Sequence, residues 1–126
     1  MKKFLTCMLV VPLLIISIMS AAQAAGSAIS AMAGITMQLN HYPTDSEKQT
    51  LASIIQDEQA SADEKSLAGA LMRMQHQVGG DDAKKLQALM ADGNASAGAR
   101  TLADVLLGLN HKATARDRER LQTLLD

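Results

Sequence analysis

A repeat of 35 residues constrains the fold of this chain more than any other feature. Its three histidines, His41, His76 and His111, are separated by two intervals of 35 residues. The same shift superposes identical apolar residues in all three segments: Ala33, Ala68, Ala103, Leu51, Leu86 and Leu121. Such agreement indicates internal duplication, and a period near 35 is typical of stacked helix pairs. The sequence therefore predicts three tandem copies, at 27–61, 62–96 and 97–126.

Each copy has the pattern of two helices. In the second copy, Leu67, Leu71, Met74 and Val78 are spaced by four, three and four residues, which places them on one face of a helix. The segment 61–64 reads Ser-Ala-Asp-Glu and forms a capping box at the start of that helix. The same reasoning along the chain predicts six helices, at about 27–41, 45–57, 62–77, 81–91, 97–110 and 115–125.

The predicted fold class is all-α, with three helix-turn-helix repeats in one domain. Connections of a few residues make successive helices antiparallel. One helix pair cannot bury its own apolar face, so the three copies should share a continuous core. This organisation is compatible with a short α-solenoid or with a compact six-helix bundle, and the sequence does not distinguish them.

Residues 1–24 have the pattern of a cleaved signal peptide. Lys2 and Lys3 precede an apolar run from Phe4 onward, and Ala22 and Ala24 have the spacing of a signal-peptidase site. An uncleaved membrane anchor is the alternative, and Pro12 within the run disfavours it. We expect cleavage after Ala24, which leaves a single helical-repeat domain at 25–126.

The predicted cleavage sets the location and the redox chemistry of the domain. The short basic start is typical of bacteria, so we expect the protein in the periplasm or secreted, with no membrane span after cleavage. Cys7, the only cysteine of the chain, would be lost with the signal peptide. The domain would then contain no disulfide and no thiolate ligand, and its formal charge would change from −1 to −3 through loss of two lysines.

Several function classes are disfavoured by what the sequence lacks. It contains neither a Gly-x-Ser-x-Gly nucleophile motif nor a glycine-rich phosphate loop, so we expect a non-enzymatic protein without a cofactor. Nucleic acid is an unsuitable partner for an acidic domain whose single aromatic residue is Tyr42.

The repeated histidines have two interpretations. At the end of the first helix of each copy, a histidine can bond the last carbonyl groups, which is a structural role. Alternatively, His41, His76 and His111 bind a metal ion in a periplasmic metal-binding protein. Packed helices lie about 8–10 Å apart, so in a linear array the outer two histidines would be too far apart to share one ion. This spacing favours the structural role.

The first predicted helix suggests a docking surface. No charged residue occurs from position 25 to position 44, although the end of a repeat array is usually polar. Burial of this helix by the rest of the domain is the alternative. The expected function is therefore an interaction or scaffold module of the bacterial envelope that binds another envelope protein or its own copy. The docking residues would be Ile29, Met32, Gly34, Met37 and Tyr42.

Overall fold

The computed structural model describes residues 21–125, with side chains from residue 26 onward. It contains six helices and no β-strand within this span. They are α1 (Ala21–Gln38), α2 (Asp45–Gln56), α3 (Ala62–Met72), α4 (Gly80–Ala91), α5 (Ala97–Gly108) and α6 (Ala115–Gln122). The all-α prediction is confirmed. The predicted signal peptide lies outside the described residues, except for residues 21–24 at the start of α1.

The helices begin where the sequence places their caps. Thr44, Ser61 and Thr114 each accept a hydrogen bond from the backbone N–H three residues later, and the acidic side chain there accepts one in return. Ser96 caps α5 through the N–H of Ala99. Gly79 occupies the cap position of α4 without a side-chain bond. The four side-chain caps satisfy backbone donors that would otherwise be unpaired at the first turn.

Helices α1, α3 and α5 end earlier than the sequence predicts, as does α6, which ends at Gln122. Helix α1 ends at Gln38, α3 at Met72 and α5 at Gly108, which is two to five residues before the expected ends. The chain leaves the helix at these points because a tight turn follows, with a histidine at its apex. Met74 and Val78 lie beyond the end of α3 but still pack against the core. Their spacing therefore continues the apolar pattern of the helix into a segment that is not helical.

The helices close into a bundle with an inner and an outer set. The inner helices α1, α3 and α5 all contact one another. Each outer helix fills a gap between two inner ones: α2 contacts α1 and α3, α4 contacts α3 and α5, and α6 contacts α5 and α1. An open solenoid would keep its first and last helices apart. The contact between α1 and α6 therefore identifies a compact six-helix bundle.

The centre of the bundle is narrow because its helices carry small residues there. Ala33 on α1, Ala68 on α3 and Ala103 on α5 are fully buried. Larger fully buried side chains surround them, including Leu51, Leu86 and Leu121 of the outer helices. The inner helices also carry large fully buried side chains, so residues of both sizes fill the core: Met32, Leu67, Leu71, Leu102 and Leu106. Among residues 21–125, no helix combines the length and apolar character needed to span a bilayer.

Candidate metal centre

Three short turns at one end of the bundle carry the histidines. In each turn, the N–H of the residue after the histidine donates to the C=O of the residue before it, at 2.9 Å for Tyr42 and Asn40. The corresponding distances are 2.7 Å for Gln77 and Gln75 and 2.9 Å for Lys112 and Asn110. A hydrogen bond across three residues defines a γ-turn. The histidine is the central residue of each turn.

Buried residues hold both ends of every turn. Leu39, Met74 and Leu109 lie two residues before the histidines and are almost completely buried. Pro43 and Ala113 are buried two residues after His41 and His111, and Val78 is half-buried at the equivalent place. Because both flanks are fixed in the core, the apex of each turn projects from the bundle end.

The three turns are joined by backbone hydrogen bonds in a closed ring. The N–H of His76 donates to the C=O of His41 at 2.9 Å, and the N–H of His111 donates to the C=O of His76 at 2.8 Å. The ring closes through the N–H of His41 and the C=O of His111, also at 2.8 Å. Each histidine therefore donates once and accepts once, and the backbone fixes the relative positions of all three.

The histidines adopt an unfavourable backbone conformation. Their φ angles are 69°, 66° and 69°, and they are the only positive-φ residues in the described part of the chain. A residue with a Cβ pays roughly 1–2 kcal/mol for a left-handed conformation, whereas glycine does not. The chain contains eight glycines. Strain retained at three equivalent positions indicates that the imidazole side chain is needed there.

The side chains converge as closely as the backbone. The Nδ1 atoms are 3.1 Å apart for His41 and His76, 3.0 Å for His41 and His111, and 2.9 Å for His76 and His111. The rings meet edge to face, with interplanar angles of 68–83°. Among the described residues, these histidines are the one group of three or more metal-ligating side chains that come together. We call this group the histidine triangle.

A metal ion fits the histidine triangle better than protons do. A neutral imidazole has one N–H and one lone pair, and a pair of nitrogens can share only one hydrogen. With three mutually adjacent Nδ1 atoms, at least one pair must place two N–H groups or two lone pairs against each other, which is repulsive. His41, His76 and His111 would together hold an ion through these nitrogens, and each ring would give it one lone pair.

The sequence-based argument against a shared site is wrong. It assumed a linear array, in which the first and third copies are far apart. The closed bundle brings the three histidine turns together, so His41 is as close to His111 as to His76. The described residues show no bond from a histidine ring to a helix-terminal carbonyl, since the helices end before the histidines and the side-chain partners of each ring are the other two rings.

An ion pair supports the turn that carries His76. Arg73, at the end of α3, donates to Asp82 in the first turn of α4 through Nε at 3.0 Å and Nη2 at 2.6 Å. Gly69 leaves room for this guanidinium, because a Cβ at position 69 would lie 2.9 Å from Nη2. The pair connects the two helices across the segment 73–79. Hydrogen bonding by Arg73 lowers the pKa of the Asp82 carboxyl.

Asp82→Asn should destabilise the protein in a pH-dependent way. Since the pKa of Asp82 is lower in the folded state, its contribution is complete above the unfolded pKa of about 4 and is lost as the pH falls through the folded pKa. We expect a loss of about 1 kcal/mol in the free energy of unfolding at pH 7, which shrinks toward pH 3. Urea titrations across this range measure it.

The exposed neighbour Asp81 supplies the matched control, because Asp81→Asn removes a charge without breaking the pair. Burial raises the pKa of Glu64, which gives an opposite pH dependence, but Glu64 is present in every variant and its contribution cancels. If Asp82→Asn lost the same free energy of unfolding at pH 3 as at pH 7, the stabilising role of the Arg73–Asp82 ion pair would be contradicted.

The residues predicted to form a docking surface do not form one continuous face. Ile29 and Met32 are buried in the core, at 7% and 0% exposure, so they are not available to a partner. Gly34 faces the segment after α6, where its Cβ position is 3.9 Å from Leu125, and Met37 is half-buried against the core. Only Tyr42 is exposed, at 62%. Helix α1 is surrounded by other helices of the bundle. Its lack of charge therefore fits burial within the domain, which is the alternative to a docking surface.

Comparisons with protein-family models, with curated proteins and with solved structures find no match for this chain. A histidine triangle with three nitrogen donors is the set that catalytic zinc sites use, with a further position left for water or another ligand.

Proposed function

We propose that this protein binds one divalent transition-metal ion through the Nδ1 atoms of His41, His76 and His111. The observation that carries the proposal is the 2.9–3.1 Å separation of these atoms. Two further observations support it. The backbone ring holds the three turns together, and the strained φ angles occur at these histidines alone among the described residues.

The donor set favours zinc or a chemically similar ion. Imidazole nitrogen suits Zn²⁺, Cu²⁺, Ni²⁺ and Fe²⁺, whereas Mg²⁺ and Ca²⁺ prefer oxygen ligands. Three protein ligands leave at least one coordination position open. The histidine triangle lies at the surface, with His76 and His111 exposed and His41 partly covered, so an ion has a direct path to it.

The proposal is tested by measuring the stoichiometry and the affinity of Zn²⁺ binding to the full chain. We expect one Zn²⁺ per chain by competition with a chromophoric chelator. His76→Asn should weaken binding by at least about 100-fold, above the range seen when only a hydrogen-bond partner behind a metal ligand is lost. Asparagine is the suitable replacement because it tolerates positive φ and removes the imidazole.

The matched control is Gln77→Asn, which changes the exposed neighbour of His76 and keeps all three imidazoles. It should bind zinc with the affinity of the unaltered chain. His41→Asn and His111→Asn should each lose affinity to the same extent as His76→Asn, because the three nitrogens are equivalent in distance. Unchanged zinc affinity in any one of these histidine variants would refute the proposal.

We also propose that the protein is exported, which would determine the compartment in which it binds the metal ion. If residues 1–24 are cleaved as predicted, the histidine triangle operates in the periplasm or outside the cell, and Cys7 cannot compete for the ion. N-terminal sequencing of the protein from a bacterial periplasmic fraction tests this, with Ala25 as the expected first residue. A full-length chain retained in the membrane would contradict it.

A docking role is the second candidate function. It rests on Tyr42, one of two large apolar side chains exposed in the described part of the chain. Tyrosine is enriched at interface centres. The role as a non-enzymatic scaffold stays a prediction, and its surface would centre on Tyr42 rather than on α1.

A further inference from the structure

A groove adjoins the histidine triangle and shares His76 with it. Its volume is about 340 Å³, and its walls include Tyr42, Lys48, Arg73 and Gln75. Of the three histidines, only His76 lines the groove, and Tyr42 in its wall directly follows His41 in the sequence. This position makes it the natural approach to an ion held by the histidine triangle.

The charges around the groove favour an anion. No carboxylate lines it, while Lys48 and Arg73 do. The Arg73 guanidinium is already paired with Asp82, at 2.6 Å. Lys48 is half-buried, and the ion pairs found among the described residues, Arg73 with Asp82 and Arg120 with Asp104, do not involve it. Lys48 therefore contributes an uncompensated positive charge to the groove.

The bound metal would reinforce this preference. Three neutral imidazoles leave the double positive charge of the ion uncompensated, and an open coordination position accepts an oxygen ligand. A ligand that combines a negative charge with an oxygen donor would satisfy both the ion and the lysine. The hydroxyl group of Tyr42 and the amide of Gln75 supply neutral hydrogen-bonding groups at the same groove.

We infer that the groove binds a small carboxylate whose oxygen completes the coordination of the metal while Lys48 attracts its charge. The inference rests on the proposed metal site. It assigns the protein a ternary complex of chain, metal ion and carboxylate. Lys48 is a positioning residue in this complex, because it acts on the anion and not on the ion.

The test uses the full chain loaded with Co²⁺, whose visible absorption reports the ligands around the ion. Sodium acetate is the probe, and sodium perchlorate at equal ionic strength controls for salt. We expect acetate to change the cobalt spectrum saturably and perchlorate to leave it unchanged. Lys48→Gln should raise the acetate concentration at half-saturation by about two- to fivefold at low salt, the range for one partly exposed charge.

Lys84→Gln is the matched control, since Lys84 is an exposed lysine outside the groove. It should behave as the unaltered chain does. A cobalt spectrum that ignores acetate, or equal responses of Lys48→Gln and Lys84→Gln, would overturn the inference and leave the metal site intact. Absence of a protein-bound cobalt spectrum before acetate is added would instead refute the metal site itself.

Discussion

Saturation with Zn²⁺ should raise the melting temperature of the full chain by about 10–20 °C. An ion that binds only the folded state stabilises it by about 2.7 kcal/mol when its free concentration is a hundred times Kd. For a domain of this size, each kcal/mol corresponds to roughly 4–8 °C. Thermal unfolding followed by circular dichroism at 222 nm measures the shift.

The expected shift is large because the ion ties together distant parts of the chain. His41 and His111 are 70 residues apart in sequence, and their turns meet only in the folded bundle. The unfolded chain cannot offer three converged nitrogens without first paying the entropy of closing these loops. The ion therefore binds the folded state selectively, and chelation by EDTA should return the melting temperature to its metal-free value.

The histidine variants separate this effect from nonspecific metal binding. His76→Asn should unfold cooperatively, with a melting temperature that no longer responds to zinc. Gln77→Asn should keep the full response. A zinc-dependent shift of equal size in His76→Asn would show that the stabilising ion lies elsewhere.

Leu121→Ala should lower the free energy of unfolding by about 2–5 kcal/mol, the usual cost of removing a fully buried leucine side chain. Leu121 belongs to α6 and is 0% exposed, because α6 packs in the gap between α5 and α1. Globular proteins are stable by only about 5–15 kcal/mol, so this single change would remove a large part of the total. Urea unfolding measures the loss.

Met90→Ala is the control for this substitution. Met90 also lies on an outer helix, α4, but is 37% exposed, and its removal should cost much less than removal of Leu121. If the last helix had the half-exposed environment of a solenoid end, the two variants would differ little. Similar losses in both would therefore contradict the closed bundle.

Much of the fold follows from local features of the sequence. Helix starts are encoded by residues that satisfy their own backbone, as Thr44, Ser61, Ser96 and Thr114 do, and the predicted capping box at Ser61 is confirmed. The helix ends were harder to predict. Apolar residues such as Met74 and Val78 continue the helical spacing, but they flank a γ-turn and do not form a further helical turn. Histidine at positive φ leaves no clear signal in a single sequence.

The three histidines come together because the bundle closes, and closure depends on packing between helices that are far apart in sequence. The sequence offers one relevant signal, the alanines at positions 33, 68 and 103, which are fully buried on the three inner helices. Small residues at the same place in every copy allow three helices to meet at close range. Taken together with histidines at the same interval, this pattern predicts convergence, whereas the histidine spacing alone fits a linear array equally well.

The docking residues predicted on α1 are largely covered for a related reason. An uncharged helix is typical both of an interface and of a core, and the distinction depends on whether other helices surround it. Here α1 contacts α2, α3, α5 and α6, so its apolar residues are covered by the chain itself.

The most direct measurement of the central claim is long-range ¹H–¹⁵N correlation NMR of the imidazole rings of the full chain during titration with Zn²⁺. It distinguishes the two nitrogens of each ring. We predict that one equivalent of zinc shifts the Nδ1 resonances of His41, His76 and His111 together, while each Nε2 retains its proton. Zinc that leaves any of the three Nδ1 resonances unchanged, or that binds through Nε2, would contradict coordination by the histidine triangle.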